Sequence, residues 1–171
     1  MSFIYTYTGK ILSTDMLHQL SPDCIDIDDI AWGLSNTCRF AGQCREYYSV
    51  AQHSILASLL VPTEFKLAAL LHDAAEAYMG DLATPFKRKM PTFGFAEKRI
   101  MRAVEQKFKV CTSGAIISDA DATALLIEKR VLMPHATLWE VDAQEPEDPT
   151  ELLECLGPQA AYEAFKRRYF E

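Results

Sequence analysis

The segment LLHDAAEAYMGD, residues 70–81, sets four ionisable side chains within an apolar, helix-forming stretch. Leucine and alanine fill most of the other positions, and Gly80 stands where a helix would end. Ionised groups are costly to bury unless they are paired or bind a metal. The pattern therefore predicts a helix that carries a functional site, with four candidate side chains: His72, Asp73, Glu76 and Asp81.

Length and composition indicate one globular domain over residues 1–171. Apolar residues make up 49% of the chain and charged residues 24%, which is typical of a protein with a substantial core. The net charge of −7 argues against nucleic acid or an anionic membrane surface as the main partner.

The sequence gives no sign of export or of membrane insertion. No apolar run approaches the roughly 20 residues that span a bilayer. The opening MSFIYTYTGK lacks the basic and apolar regions of a signal peptide. The five cysteines are odd in number and form no C-x-x-C pair. We therefore expect a cytoplasmic protein with reduced thiols.

Hydrophobic periodicity and capping residues predict a mostly helical chain. An extended arm or hairpin is expected over 2–12, and an acidic surface loop, twice interrupted by proline, over 142–151. The predicted fold is an all-α bundle with a short extended N-terminal arm. Helices are expected over 26–36, 49–61, 63–80, 95–108, 118–132 and 159–170, with a short one over 85–90 that begins at Pro85.

Helical spacing brings polar side chains from two neighbouring helices together. His53 lies three residues from both Val50 and Leu56, so it points inward with them. His72 and Glu76 are four residues apart and share a face. The short turn at Pro62 makes the two helices neighbours.

A third helix adds carboxylates, because Asp119 and Asp121 stand at its predicted start. Two imidazoles and two carboxylates would form a mixed nitrogen and oxygen site for one divalent transition metal. Each residue also has an ordinary role: a hydrogen-bonded core histidine, a surface ion pair for Glu76, or acidic residues at a helix N-terminus. Spacing alone leaves both interpretations open.

Four segments in order resemble a known family. His53, His72–Asp73 and Asp121 resemble the H…HD…D pattern of the HD-domain phosphohydrolase superfamily. The longer matches resemble its small 5′-deoxynucleotidase-like branch, which includes phage dATP triphosphohydrolases. The resemblance implies an HD-domain helical bundle. The four segments are IDIDDIAWGLSNTCRFAG (25–42), YYSVAQHS (47–54), ALLHDAAEAYMGDLATPFKR (69–88) and DADATALLIEKR (119–130).

The resemblance also implies the metal ligands and the catalytic groups. Asp121 is preferred to Asp119 because family members show an alanine before the ligand and a glutamate seven residues after it, here Ala120 and Glu128. Glu76 would orient or deprotonate the attacking water, and Asp81 would lie by the sugar or the leaving oxygen. The implied metal ligands are His53, His72, Asp73 and Asp121.

The same resemblance implies the substrate contacts. Arg39 and Lys87 would bind phosphate, Phe40 would lie against the base or the sugar, and Pro85 would crowd the 2′ position. The chain departs from the pattern at Gln43, where family members often carry histidine, so any acid role there is absent.

The donor set suits Co²⁺, Mn²⁺, Zn²⁺ or Fe²⁺ better than Mg²⁺. One metal is expected because two of the four histidines, His18 and His135, lie outside the matched motifs. Such a metal neutralises phosphate charge and lowers the pKa of a bound water.

The predicted function is a metal-dependent 5′-deoxynucleotidase that converts a deoxynucleoside monophosphate to deoxynucleoside and phosphate. One alternative is a dNTP triphosphohydrolase, especially one that converts dATP to deoxyadenosine and triphosphate. A second is a nucleotide-binding regulator without turnover. The expected partner is a small deoxynucleotide. The protein is expected to form a homo-oligomer and to act in the cytoplasm, which is the host cytoplasm if the gene is carried by a phage.

Overall fold

Eight α-helices and one two-stranded antiparallel sheet make up the part of the chain that the structure describes. The structure is a computed structural model, and it describes residues 2–139, 141, 143 and 153–171. Of the predicted loop over 142–151, only residue 143 falls within them. The elements are β1 (Phe3–Tyr5), β2 (Ile11–Ser13), α1 (Ile27–Asn36), α2 (Val50–Leu59), α3 (Lys66–Leu70), α4 (Glu76–Met79), α5 (Thr84–Lys87), α6 (Pro91–Phe108), α7 (Ala115–Leu132) and α8 (Pro158–Phe170).

The predicted all-α bundle with a short N-terminal arm is confirmed. Helix α2 lies at its centre, in contact with α1, α3, α7 and α8. Its start is fixed by a capping box, in which the Ser49 hydroxyl accepts from the Gln52 amide and the Gln52 side chain accepts from the Ser49 amide. His53 is fully buried on this helix, as predicted. Across the described residues, no helix is long and apolar enough to span a membrane.

The single helix predicted over 63–80 is wrong. It is broken between α3 and α4 by tight turns over residues 71–75. The His72 Nδ1 atom lies 2.7 Å from the Ala69 carbonyl oxygen, which in a continuous helix would accept from the Asp73 amide. The following bonds join residues three apart, as from Glu76 N to Asp73 O at 2.9 Å. Consecutive side chains on a regular helix point in directions about 100° apart. The break in the helix allows the side chains of His72 and Asp73 to point toward the same position.

Helix α7 begins at Ala115, three residues before the predicted start. Asp119 and Asp121 therefore lie in its second turn, so the interpretation of both as N-terminal helix residues is wrong. Helix α5 also begins one residue early, which makes Pro85 its second residue rather than its first. Helix α6 begins four residues early, at Pro91.

The N-terminal arm is a hairpin that is fixed to α1. The Thr8 amide and hydroxyl donate to the two carboxylate oxygens of the buried Asp29, at 2.7 and 3.1 Å. Trp32 of α1 stacks on Tyr7, with ring centroids 4.7 Å apart, and packs edge-on against Tyr162 of α8. Trp32 thus belongs to an aromatic cluster that joins the arm to α1 and α8.

Gly33 allows α1 to approach α4, the helix that carries Glu76. A Cβ at Gly33 would stand 2.5 Å from the Ala77 carbonyl oxygen and 2.8 Å from its Cα. We expect Gly33→Ala to lower the free energy of unfolding by about 1–3 kcal/mol, since backbone atoms must move. Thermal and urea unfolding measure this.

Gly94→Ala in α6 is the matched control. A Cβ at Gly94 meets nothing within 4 Å, so alanine should raise stability by about 0.5–1 kcal/mol through helix propensity. Equal stability changes at the two glycines would contradict the close approach of α1 and α4.

Candidate metal centre

Four predicted ligands from three parts of the fold converge on one point. His53 comes from α2, His72 and Asp73 from the turns after α3, and Asp121 from α7. The His53 Nε2 atom lies 3.1 Å from Asp121 Oδ1, 3.3 Å from His72 Nε2 and 3.6 Å from Asp73 Oδ2. The His72 Nε2 atom lies 3.3 Å from Asp73 Oδ2 and 3.8 Å from Asp121 Oδ1. The cluster joins residues that are up to 68 positions apart in the sequence (121 − 53).

These separations fit one divalent ion. Ligands about 2.1 Å from a tetrahedral ion stand about 3.4 Å apart, and adjacent octahedral ligands stand about 3.0 Å apart. Two imidazole nitrogens and two carboxylate oxygens are a donor set for a first-row transition metal rather than for Mg²⁺. His53, His72 and Asp73 also offer atoms that all lie within 4.8 Å of one another.

Both histidines present the same nitrogen to this point. The Nδ1 atom of His53 faces a carboxylate oxygen, and the Nδ1 atom of His72 faces a backbone carbonyl oxygen. Because both kinds of oxygen only accept hydrogen bonds, the Nδ1 atom of each ring is the donor. His53 Nδ1 donates to Glu128 Oε1 at 2.7 Å, and His72 Nδ1 donates to the Ala69 carbonyl at 2.7 Å. Each Nε2 is thus free to bind a cation, which is the usual arrangement of metal-bound histidine.

The cluster is buried at one end and open at the other. The His53 side chain is 0% exposed and that of His72 is 7% exposed, whereas Asp73 is 23% and Asp121 is 47% exposed. Asp119, on the same helix as Asp121, faces solvent. A small ligand can therefore approach the cluster from the side of the two aspartates.

Carboxylates control the charge of the two imidazoles. Burial and the positive charge of Arg39 lower the pKa of His53, but Glu128 and Asp121 outweigh them and raise it to about 10. Burial lowers the pKa of His72, and Asp73 and Asp121 raise it above its ordinary value. Burial raises the pKa of Asp121, but hydrogen bonds from the two imidazoles bring it below its usual range. Without a metal, the protonated imidazoles therefore supply the positive charge that a bound cation would otherwise supply.

Glu76 is the predicted water-activating residue, and it lies buried beside the cluster at the start of α4. Among the described residues, its Oε2 atom has no hydrogen-bond partner. Burial and the negative charges of Asp73 and Asp81 raise the pKa of Glu76 to about 9. A cation among these carboxylates would lower that pKa and make Glu76 a usable base.

The pKa values of His53 and Glu76 predict how the stability of the metal-free protein depends on pH. The raised pKa of His53 gives stability below pH 6.5 that is lost as the pH rises toward 10. The raised pKa of Glu76 costs stability progressively from pH 4.5 to pH 9. With a chelator present, we expect melting at pH 8.5 to fall at least about 3 °C below that at pH 6, equivalent to about 1 kcal/mol.

Melting curves at both pH values, with chelator and with Co²⁺, measure this effect. Added Co²⁺ should reverse the trend, since it binds the deprotonated ligands. A metal-free protein that melts at the same temperature at pH 6 and pH 8.5 would contradict the pKa values of the cluster.

In the sequence, Glu128 served only to identify Asp121 through the family pattern. In the structure it is a fully buried carboxylate beside the site. Its Oε1 atom accepts from His53, and its Oε2 atom accepts from Arg39 Nη2 at 3.0 Å and from Arg39 Nε at 3.4 Å. The signal was available, since residues 121 and 128 are two helical turns apart and share a face. Arg39 and His53 together keep the pKa of Glu128 below its usual value despite burial.

Arg39 is the one predicted substrate contact that is joined directly to the ligand network. It lies in a turn, Arg39–Gly42, in which Phe40 and Ala41 adopt left-handed backbone angles, with φ of 55° and 51°. Its Nη1 atom lies 4.0 Å from Asp81 Oδ2. Burial raises the pKa of Asp81 above its ordinary value, although Arg39 opposes this.

The other three predicted substrate contacts lie in the Arg39–Gly42 turn and in α5. The ring of Phe40 packs edge-on against Trp139, with centroids 5.9 Å apart, and lies under the Arg39 guanidinium at 5.3 Å. Lys87 forms an ion pair with Glu97 of α6. Pro85 is exposed, and its predicted place at the 2′ position of a sugar stays a prediction.

Two relatives place the chain among known proteins. The uncharacterized protein YfdR of Escherichia coli is 39% identical over 173 residues, which cover 99% of this chain and 94% of YfdR. An uncharacterized protein of Rhodobacter capsulatus is 39% identical over 112 residues, 58% of this chain and 57% of that protein. No protein-family model matches the chain.

Proposed function

The chain belongs to the family of Escherichia coli YfdR, and we propose that it is an HD-type, metal-dependent phosphohydrolase of 2′-deoxynucleoside 5′-monophosphates. The observation that carries this proposal is that the Nε2 atoms of His53 and His72 lie 3.3 Å apart and each lies 3.1–3.8 Å from a carboxylate oxygen of Asp73 and of Asp121. Ordinary packing does not bring four such groups together, because each loses hydration and two carry negative charge. A catalytic cation accounts for all four.

Each residue around the cluster has a separate role in phosphoester hydrolysis. A bound divalent cation would supply a Lewis acid that neutralises phosphate charge and acidifies water. The buried Oε2 atom of Glu76, which has no hydrogen-bond partner in the part of the chain that the structure describes, accepts the proton of the attacking water. Asp81 would lie beside the leaving 5′ oxygen, and burial raises the pKa of its carboxyl group above the ordinary value.

Arg39 supplies the second positive charge to the phosphate. Its Nε and Nη2 atoms are occupied by Glu128, so the Nη1 edge toward Asp81 is the one that faces a ligand. Phe40 and Trp139 offer apolar surface beside that edge for a base or a sugar. This arrangement favours a small nucleotide over a polymer as the substrate.

A dNTP triphosphohydrolase is the second candidate, since the basic segment at Lys87 continues into the exposed residues Arg88 and Lys89. Three adjacent basic residues suit the longer anion. The ion pair between Lys87 and Glu97 removes part of that charge, which favours the monophosphate. For both candidate functions, the proposed partner is a deoxynucleotide of the cytoplasm, or of the host cytoplasm if the gene is carried by a phage.

The test is a substrate panel with metal-stripped protein resupplied with Co²⁺, Mn²⁺, Zn²⁺ or Mg²⁺. Ribo- and deoxynucleoside mono- and triphosphates are incubated, and orthophosphate is separated from triphosphate by chromatography. Deoxynucleoside and orthophosphate from monophosphates alone support the nucleotidase. Deoxynucleoside and triphosphate from one dNTP support the second candidate. Tight nucleotide binding without turnover indicates a regulator and overturns the proposal.

A further inference from the structure

We propose that Glu128 is a positioning residue that holds the metal ligand His53 and the phosphate-binding Arg39 with one carboxylate. The inference rests on the proposed function and adds a link within its site: one buried side chain sets both metal affinity and phosphate binding. Glu128 is fully buried in α7, with each of its oxygens assigned to a different partner.

The first oxygen determines which nitrogen of His53 faces the metal. The His53 side chain is 0% exposed, and its Nδ1 atom donates to Glu128 Oε1 at 2.7 Å. This bond keeps a proton on Nδ1, so that Nε2, which faces His72 and Asp121, is the ring nitrogen that a cation would bind. The equivalent bond of His72 goes to a backbone carbonyl, so only the His53 ring depends on a side chain for its orientation.

The second oxygen determines how Arg39 is presented. The Nη2 and Nε atoms both donate to Oε2, at 3.0 and 3.4 Å, which fixes the plane of the guanidinium. The Arg39 side chain is only 13% exposed, and its Nη1 edge is left facing Asp81 and the approach to the metal cluster. Glu128 therefore orients the metal ligand and the phosphate ligand toward the same space.

Glutamine cannot replace Glu128 in both contacts. If its amide oxygen accepts from His53, its NH₂ group faces the donors of Arg39; if it is turned, the NH₂ group faces His53 Nδ1–H. The negative charge that compensates the buried guanidinium is also lost. Both functions of the site should therefore weaken together.

The principal test is Glu128→Gln. Removing such a supporting partner typically lowers metal affinity about 10- to 100-fold, and we expect this loss for Co²⁺ measured by chelator competition. With saturating metal, KM for the substrate should also rise at least about tenfold, because Arg39 is no longer fixed. A role in packing alone would lower the melting temperature but leave both quantities unchanged.

Asp119→Asn is the matched control, since it makes the same charge change at an exposed position on the same helix. It should leave Co²⁺ affinity and KM as in the wild type. The inference is overturned if Glu128→Gln matches this control in both measurements.

A measurement on the unaltered protein covers the case in which the variant fails to fold. In the Zn²⁺-loaded protein, ¹⁵N-detected correlations of the His53 ring should show a protonated Nδ1 and a metal-bound Nε2. A metal-bound Nδ1 overturns the inference. If wild-type protein binds Zn²⁺ in the expected way yet hydrolyses no nucleotide, the proposed function fails while the role of Glu128 in metal binding is retained.

Discussion

Replacement of Glu76 by glutamine is expected to lower kcat by about 10²- to 10⁴-fold, the usual contribution of a positioned general base. Glutamine keeps the volume of the side chain but cannot accept a proton from water. Metal affinity and KM should change little, because Glu76 is not among the four converging ligands. Steady-state kinetics with saturating Co²⁺, together with Co²⁺ titration, separates these quantities.

The same variant has a second signature, in stability. Because burial, Asp73 and Asp81 hold the pKa of Glu76 at about 9, the folded metal-free protein must keep this carboxyl protonated at pH 8. Glutamine removes that requirement and should raise stability by at least about 1.4 kcal/mol, equivalent to one pKa unit. Glu163→Gln, at an exposed position on α8, is the control and should change neither kcat nor stability. Full turnover by the Glu76→Gln variant would contradict the assignment of Glu76 as the general base.

Asp121→Asn is expected to weaken Co²⁺ binding by more than about 100-fold, beyond the usual effect of a residue outside the ligand shell. An amide oxygen is a poorer donor than a carboxylate, and the substitution removes charge next to two imidazoles. Turnover at micromolar metal should be lost accordingly. Chelator competition and metal-dependent kinetics measure both effects.

Asp119→Asn again serves as the control for Asp121, because both residues lie in the second turn of α7 but only Asp121 contacts the histidines. Partial recovery of turnover by the Asp121 variant at millimolar Co²⁺ would locate the defect in metal binding rather than in folding. Equal Co²⁺ affinity in the two variants would contradict the assignment of Asp121 as a ligand.

Much of the candidate site could be predicted because its polar side chains stand out against an apolar background. His72 and Asp73 interrupt a run of leucine and alanine, and His53 shares a helix face with aliphatic residues. The structure brings these three residues and Asp121 together. Helix ends were harder to predict, since Gly114 and Pro91 start helices earlier than hydrophobic periodicity indicates.

The helix break at His72 was not predictable from propensity. The residues around it are good helix formers, yet the His72 ring lies against the Ala69 carbonyl and the next backbone bonds join residues three apart. The contact with the Ala69 carbonyl forms because the ring is also directed toward His53, a contact made between two separate helices. Local preference therefore gives way to tertiary contact at the position that carries the site.

The sequence by itself determined the all-α fold and singled out His53, His72 and Asp73 as polar side chains in apolar surroundings, because periodicity and buried charge are local signals. The tertiary structure decided that Asp121 rather than Asp119 faces the histidines, and that one carboxylate, Glu128, serves both His53 and Arg39. Those partners lie 75 and 89 positions away in the chain. Packing of α7 against α2 brings His53 within hydrogen-bond distance of Glu128, and no local pattern encodes that distance.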